Sequence, residues 1–413
     1  MGKDHKLKKY KDLTYVWSPS KNDLCTVSLW IRVGAVNETS MDAGISHLLE
    51  HLLFRGSKNP EFDSNEKIFE AYDKIGAIHN GETEKDYTVY YATSLDKHFE
   101  RMLEIITAFV LNPKLDKKDL EMEKSIVLRE VESMREDPKK VAIECLEKKL
   151  FENCTLENNI GGDKKSITGI TYKSIVDFYK SYYIPENMVL SVCGSSEKNV
   201  RKGIEKYFNN FKSTTNPPPI ITDKPDSICP LNGKSYVKYL NEDMNESHTV
   251  ILVGFTWDPQ KIVSGKVFQT LIAGLTSSRL FIRLRTKCGL VYGVKSKVCR
   301  FMNGGYILVS TVTKNENIEK VCNVIDDELN QLCRGDLSQE ELNTVKEKII
   351  NASSIKILNT VAKSFYYGKE ILYWGKVCDY DDYLKEIKNI SLSQLKKEFS
   401  TLAKHKKVRV IVK

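Results

Sequence analysis

The stretch His47-Leu48-Leu49-Glu50-His51, followed by Leu52, Leu53 and Phe54, sets two imidazoles and a carboxylate within five residues of an apolar run. Read as a helix of about 3.6 residues per turn, it stacks His47 and His51 one turn apart on one face, with Glu50 beside them. Ile45, Leu48, Leu49, Leu52 and Leu53 make most of its sides apolar, so the helix belongs in a core. Polar groups placed in a core need partners, and a metal ion is one such partner. Neutral imidazoles bind Zn2+ well, two side chains at i and i+4 reach one ion, and an adjacent glutamate can take a proton from a water held by that ion. The plainer account, a surface helix with two solvated histidines and a solvated glutamate, sits poorly with this apolar setting.

Working outward, Leu24 to Gly34 alternates as a buried strand (Val27, Leu29, Ile31, Val33) and leads through Gly34-Ala35-Val36-Asn37-Glu38 into the motif helix. Periodicity then predicts a helix over Ser64 to Ile75, strands at Ala77 to Asn80 and Tyr87 to Thr93, and helices at Lys97 to Leu111 and Lys117 to Arg135. A helix at Tyr172 to Tyr183, a strand at Met188 to Cys193 and a helix ending near Phe211 close this half. From Lys212 to Leu231 the composition shifts to Ser213-Thr214-Thr215-Asn216-Pro217-Pro218-Pro219, with Pro225 and Pro230 beyond, and reads as a linker.

After the linker the pattern restarts. His248 to Trp257 alternates as a strand and runs into a helix at Ile262 to Ala273, as Leu24 to Glu38 runs into the motif helix. Strands at Val291 to Val298 and Gly305 to Thr313, further helices and a last strand at Lys407 to Ile411 complete an internal repeat. The chain therefore reads as α+β, with a domain at 1–211, a linker at 212–231 and a second domain at 232–413. The second copy has no histidine pair in its corresponding helix, so one zinc ion per chain is expected.

Composition sets outer bounds. A chain of 413 residues is too long for one ordinary core, and 41% apolar with 29% charged residues describes a globular protein. The ten cysteines show no C-x-x-C pairing, and several sit in apolar strands such as Ser191-Val192-Cys193, which reads as buried thiols of a reducing compartment, the cytoplasm. Met1-Gly2-Lys3-Asp4-His5-Lys6-Leu7 lacks an apolar core of the signal-peptide kind, and no run long enough to span a membrane is present. The net charge of +8 is spread as isolated lysines on mixed-charge helices, without a basic stripe interleaved with aromatics, so no nucleic-acid partner is expected.

A catalytic zinc takes three protein ligands and leaves a position for water. The third is sought on the helix Lys117 to Arg135. Glu121, Glu132 and Glu136 lie among Lys118, Lys124, Arg129 and Arg135 as a salt-bridged, solvated face. Glu123 and Glu130, seven residues apart, share a face with Leu120, Ile126, Val127 and Met134, where a carboxylate is costly unless paired or bound to metal. Packing alone leaves both as candidates.

The arrangement H-x-x-E-H, the reverse of the H-E-x-x-H of many metalloproteases, followed by Glu123-Lys124-Ser125-Ile126-Val127-Leu128-Arg129-Glu130, resembles the M16 family of pitrilysin, insulinase and mitochondrial processing peptidase. The resemblance implies that His47, His51 and Glu130 bind zinc, that Glu50 is the general base and that Glu123 orients a ligand from behind. Asn80-Gly81-Glu82-Thr83, ahead of Tyr87-Thr88-Val89-Tyr90-Tyr91, is similar to the family's edge strand, often N-A-x-T, that pairs with extended substrate, which makes Asn80 and Thr83 substrate-binding residues. Its neighbour His79 reads as a solvated strand histidine. Ser277-Ser278-Arg279-Leu280-Phe281 through Leu290-Val291-Tyr292 resembles the family's S-R-L-F…L-R-x-K-x-G-L-x-Y segment, which implies that Arg285 and Tyr292 bind substrate carbonyls. The chain departs from many members by carrying Cys288 in place of an arginine.

The resemblance spans nearly the whole chain and implies two homologous α/β-sandwich domains of the LuxS/MPP-like metallohydrolase fold, each a mostly antiparallel sheet covered by helices. A chain of this length is similar to the short, two-domain bacterial type. It implies a zinc endopeptidase that takes unfolded peptides, or leader and presequence segments, into an enclosed chamber. Because the chain carries both the zinc motif and the Arg285/Tyr292 pair, a homodimer is expected. The alternatives are a heterodimeric maturation protease completed by a second M16-like chain and a non-catalytic structural subunit. An intact ligand set argues against the last.

Overall fold

In the computed structural model, which describes residues 5–212, 235–239, 248–377, 379–405 and 407–412, the alternation read at Leu24 to Gly34 is a strand with Val27, Leu29 and Ile31 wholly buried. In chain order the strands are β1 (Lys6–Tyr10), β2 (Leu13–Ser18), β3 (Leu24–Ile31), β4 (Ile78–Thr83), β5 (Thr88–Leu95), β6 (Met188–Cys193), β7 (Ser235–Tyr239), β8 (His248–Thr256), β9 (Val291–Arg300), β10 (Gly305–Lys314) and β11 (Lys407–Val412). Alternation recurs in β2 and β10, whereas β6 is buried on both faces and β1 is largely exposed. The sequence reading did not anticipate β1, β2 or β7. It also ended β4 at Asn80, three residues early, because Gly81 and two polar residues hide the alternation.

The strands form two sheets, ordered β1-β2-β6-β3-β5-β4 and β7-β11-β8-β10-β9. With β1 set aside, the two orders correspond strand for strand. In each, the first pair is parallel and every later pair is antiparallel. The fold is therefore two α/β units with repeated topology, each a mostly antiparallel sheet under helices, and the internal repeat expected from the strand-to-helix pattern is a repeat of pairing as well. From residue 213 onward the proline-rich linker lies outside the described residues.

The two compact units are not continuous in sequence. One comprises Met1–Val131, Asn158–Ile221 and Ser354–Asp379, and the other Glu132–Glu157, Thr222–Ser353 and Tyr380–Lys413, in each case through the described residues. Each sheet is thus covered on one face by a helix from the other half of the chain. In the first unit the helix Thr360–Trp374 lies on β3 and β6 through small polar side chains: Thr26 bonds Thr360 and Thr93, at 2.9 and 2.8 Å, and Ser28 bonds Ser364 at 2.8 Å. Gly368 lets the helix approach Trp30, since a Cβ there would lie 2.2 Å from the indole Nε1.

In the second unit the helix Pro138–Leu150 lies on β8 and β11, with Leu146 filling the space left by Gly254. Its start is set by Asp137, whose side chain accepts from the backbone N–H of Lys139, and by Pro138 in the first turn. The Tyr306 hydroxyl donates to Glu147 at 2.7 Å, and Phe151 packs on Phe301 and Tyr306. No helix among the described residues is long and apolar enough to cross a membrane, and all eight described cysteines are free thiols.

Candidate functional site

The site is built in the first unit, where the motif helix Ile45–Leu53 packs against the edge strand β4. The helix begins at Gly44, whose φ of +90° and lack of room for a Cβ beside Gly161 call for glycine. The buried carboxylate of Glu38 accepts from the N–H groups of Gly44 at 2.6 Å and Ser46 at 2.9 Å, which fixes the helix start two residues before His47. Apolar residues at Ile45, Leu48, Leu49, Leu52 and Leu53 bury the helix, and His47 and Glu50 go with them at 9% exposure each.

The helix Lys117–Glu136 brings both candidate glutamates to the histidines. Glu130 Oε2 lies 3.8 Å from His47 Nε2 and 3.6 Å from His51 Nε2, and one ligand atom from each of the three residues falls within 4.8 Å of the others. The Glu130 side chain is 40% exposed, so this corner of the site faces solvent. Glu123, at 3% exposure, turns the other way and accepts from His51 Nδ1 at 2.9 Å and from Arg55 Nε. The two glutamates that sequence packing left equivalent thus occupy different positions, one beside both Nε2 atoms and one behind a ring.

Electrostatics follow this geometry. Burial and the neighbouring His51 lower His47 to about 4, which keeps it a neutral imidazole with a lone pair to give. Burial also works against a charge on His51, but the carboxylates of Glu123, Glu130 and Glu50 outweigh it and raise the ring to about 9. Burial pushes the Glu50 carboxyl up, partly offset by the Thr83 hydroxyl, which donates to Glu50 Oε2 at 2.7 Å. Burial would raise Glu123 too, yet hydrogen bonds from His51 and Arg55 hold it below the usual carboxylate range.

The donor set fits a zinc ion. Two imidazole nitrogens and one carboxylate oxygen within 4.8 Å are the N and O donors zinc takes, and the ring of His51 is oriented by a carboxylate on its far nitrogen. His47 Nδ1 is buried with no hydrogen-bond partner among the described residues.

Of the remaining residues singled out in the sequence, Thr83 is tied to Glu50 through its hydroxyl, and Asn80 is exposed on β4 opposite Tyr91. His79 is not simply solvated: it stacks on Tyr72 at 4.1 Å and lies beside Phe69. In the second unit Arg285 and Tyr292 meet, with the guanidinium 5.0 Å from the rings of both Phe281 and Tyr292. Tyr292 is 88% exposed rather than packed in a core, and Cys288 is exposed nearby. The segment that carries them, a π-helical turn over Phe281–Lys287, is pinned by Arg279 to Glu341 and by Arg283 to Asp327 and Glu328. Sequence reasoning missed Arg55, Glu38 and Gly81. Arg55, a basic residue one turn beyond His51, was the readable signal among them. A Cβ on Gly81 would lie 2.8 Å from Glu50 Oε1, so glycine is what lets β4 pass against Glu50.

Comparison with known proteins bears on the family and the fold. Residues 15–164 match the family model described as insulinase (peptidase family M16), and residues 169–349 match the one described as the peptidase M16 inactive domain. An uncharacterized zinc protease of Bacillus subtilis, YmxG, is 26% identical over 370 residues, covering 89% of this chain and 88% of that protein. An uncharacterized zinc protease of Mycobacterium tuberculosis, Rv2782c, is 24% identical over 383 residues, covering 92% and 85%. Among solved structures, a protease from Helicobacter pylori aligns over 100% of this chain and 99% of its own, with a TM-score of 0.90 at 19% identity. A peptidase M16 inactive domain from Pseudomonas fluorescens aligns over 99% and 98%, with a TM-score of 0.88 at 18% identity, so the fold is shared across distant sequences.

Proposed function

Because the chain belongs to the M16 peptidase family, we propose that it is a zinc-dependent endopeptidase that cleaves unfolded peptides, with His47, His51 and Glu130 as the ligands of one zinc ion. The observation that carries this reading is the meeting of those three donors beside a buried Glu50 that is fastened to an edge strand by Thr83. When bound there, zinc supplies a Lewis acid that makes water acidic enough to ionise near neutral pH and polarises a carbonyl oxygen.

The chain's own residues do the rest. Glu50, pushed up by burial, takes the water's proton at a carboxylate oxygen and returns it to the leaving amine nitrogen. Thr83 holds the Glu50 carboxyl in one rotamer, and Glu123, held by Arg55, keeps the Nε2 lone pair of His51 aimed at the metal position. The free edge of β4, with Asn80 on it, holds the peptide main chain by strand addition, which accepts any unfolded sequence. Arg285 and Tyr292 are assigned to the substrate carbonyls, where positive charge and a phenol stabilise an oxyanion. Free thiols throughout the described cysteines support a reducing, cytoplasmic setting, and the presence of both residue sets on one chain supports a homodimer. Metal analysis of untreated protein, followed by mass-spectrometric mapping of cuts in an unstructured peptide library, tests the reading. Wild type is expected to carry zinc and cut, and Glu50→Gln to carry zinc and not cut. Turnover by zinc-loaded Glu50→Gln at the wild-type rate overturns the assignment of the base.

A further inference from the structure

β4 is the last strand of its sheet, and its outer edge pairs with no strand among the described residues. Its side chains alternate between two faces, and the register says which is which. His79, Gly81 and Thr83 pair with Ala92, Tyr90 and Thr88 and face the motif helix, where Thr83 bonds Glu50. Ile78, Asn80 and Glu82 pair with Thr93, Tyr91 and Val89 and face the side covered by the helix Thr360–Trp374, where Tyr91 packs on Phe365. Glu82 is therefore one residue from the point at which the strand touches Glu50, but on the opposite face.

Its surroundings leave that carboxylate short of partners. Glu82 is half-buried, and while its backbone pairs with Val89, its carboxylate accepts no hydrogen bond and forms no ion pair among the described residues. Burial pushes it up, and the charge of Lys369 only partly offsets this. The Lys369 ammonium lies over the rings of Tyr87 at 4.9 Å and Tyr373 at 5.0 Å. The charge of Glu82 reaches Glu50 and adds to the upward push of burial on that group. A half-buried carboxylate without a donor is costly, and a cation brought to it relieves the cost.

We infer that Glu82 is a specificity-determining residue that selects a lysine or arginine side chain on the peptide strand docked along β4. The inference deepens the peptidase reading and rests on it. A strand added to the free edge places its own side chains alternately on the same two faces, and directly opposed residues come within about 4.5–5.5 Å at Cβ. A basic side chain opposite Glu82 gains a charge-assisted hydrogen bond, whereas an acidic one meets like charge. Selection therefore falls on a substrate side chain next to those that face Glu50, at a fixed offset from the cut.

The zinc-loaded full chain tests this with an unstructured peptide library and mass-spectrometric mapping of cuts, comparing wild type, Glu82→Gln and Glu82→Lys at equal zinc content. Wild type is expected to enrich Lys and Arg over Asp and Glu about fivefold at one position near the cut. Glu82→Gln should erase that ratio, and Glu82→Lys should reverse it toward Asp and Glu, a gain that a damaged fold cannot produce. Cutting by wild type without the enrichment, or enrichment that survives in both variants, overturns this inference and leaves the peptidase reading standing. A zinc-loaded wild type that cuts nothing overturns both.

Discussion

The helices Ile45–Leu53 and Ile262–Ala273 occupy the same place in the repeated topology, each following the central strand β3 or β8 of its sheet, and they use burial differently. The first buries His47 and Glu50 among leucines, with a ring nitrogen that finds no hydrogen-bond partner among the described residues. The second buries Val263, Val267, Phe268, Leu271 and Ile272 and carries no acid or imidazole. One copy of the fold keeps polar groups in a core where they cost stability, and the other packs the same position for stability alone. The comparison shows that the topology does not need the buried imidazole and carboxylate, which cost the first copy packing that the second keeps.

The largest expected effect separates chemistry from structure in the first helix. Glu50→Gln should lower turnover of a cleaved peptide by about 10²–10⁴-fold or more with zinc content unchanged, measured by metal analysis beside a fluorogenic assay. In the second helix, Phe268→Ala should cost about 3–5 kcal/mol in urea denaturation, because Phe268 is fully buried against Phe255 and Phe399. Its counterpart test runs the other way: His47→Leu should make the zinc-free protein about 1 kcal/mol more stable while abolishing metal binding. A His47→Leu protein less stable than zinc-free wild type would show that the first helix is packed as strictly as the second. Behind the ligands, Glu123→Gln should weaken zinc affinity about 10–100-fold in a chelator competition.

Acid and base shifts act with opposite signs in the two units. Glu38, at the start of the first helix, is raised by burial to about 7, above its unfolded value. The fold favours its protonated form, so wild type should lose stability as pH rises from about 4.5 to 7, and Glu38→Gln should flatten that slope. In the second unit burial would raise Asp326, but Lys407 at 2.5 Å and Arg409 at 2.7 Å hold it well below its usual range. Its stabilisation is present above about pH 4 and is lost as pH falls toward the folded value, so Asp326→Asn should destabilise at pH 7 and cease to do so in strong acid. Urea midpoints taken from acid to pH 8 read both signs.

What the sequence made legible depended on periodicity and on residues that act together locally. The motif helix, β3, β5 and the alternation of β8 follow from apolar spacing, and His47, Glu50 and His51 declare themselves because one helical turn brings them together. Glu123 and Glu130 could be narrowed to a face but not told apart by packing, because the rotation of that helix against the histidines is a tertiary fact. Glu38 serves the site through two hydrogen bonds to backbone N–H groups, for which no spacing rule exists, and Arg55 through one to Glu123 on another helix, with only its place one turn beyond His51 as a signal. The covering helices were beyond reach for the same reason: Thr26 and Thr360 are bonded across most of the chain.

That exchange has a consequence for how the protein is made. When β6 has left the ribosome, all six strands of the first sheet exist, yet the helix that covers Thr26, Ser28 and Trp30 has not been synthesised. At roughly 5–20 residues per second, residues 360–374 follow residue 193 only after on the order of ten to thirty seconds. Throughout that interval one face of the nascent sheet stands open. The serines and threonines that line it, which water can satisfy, make the wait safer than a face of leucines would, and a nascent chain arrested before residue 360 should be sensitive to proteases until the missing helix is supplied.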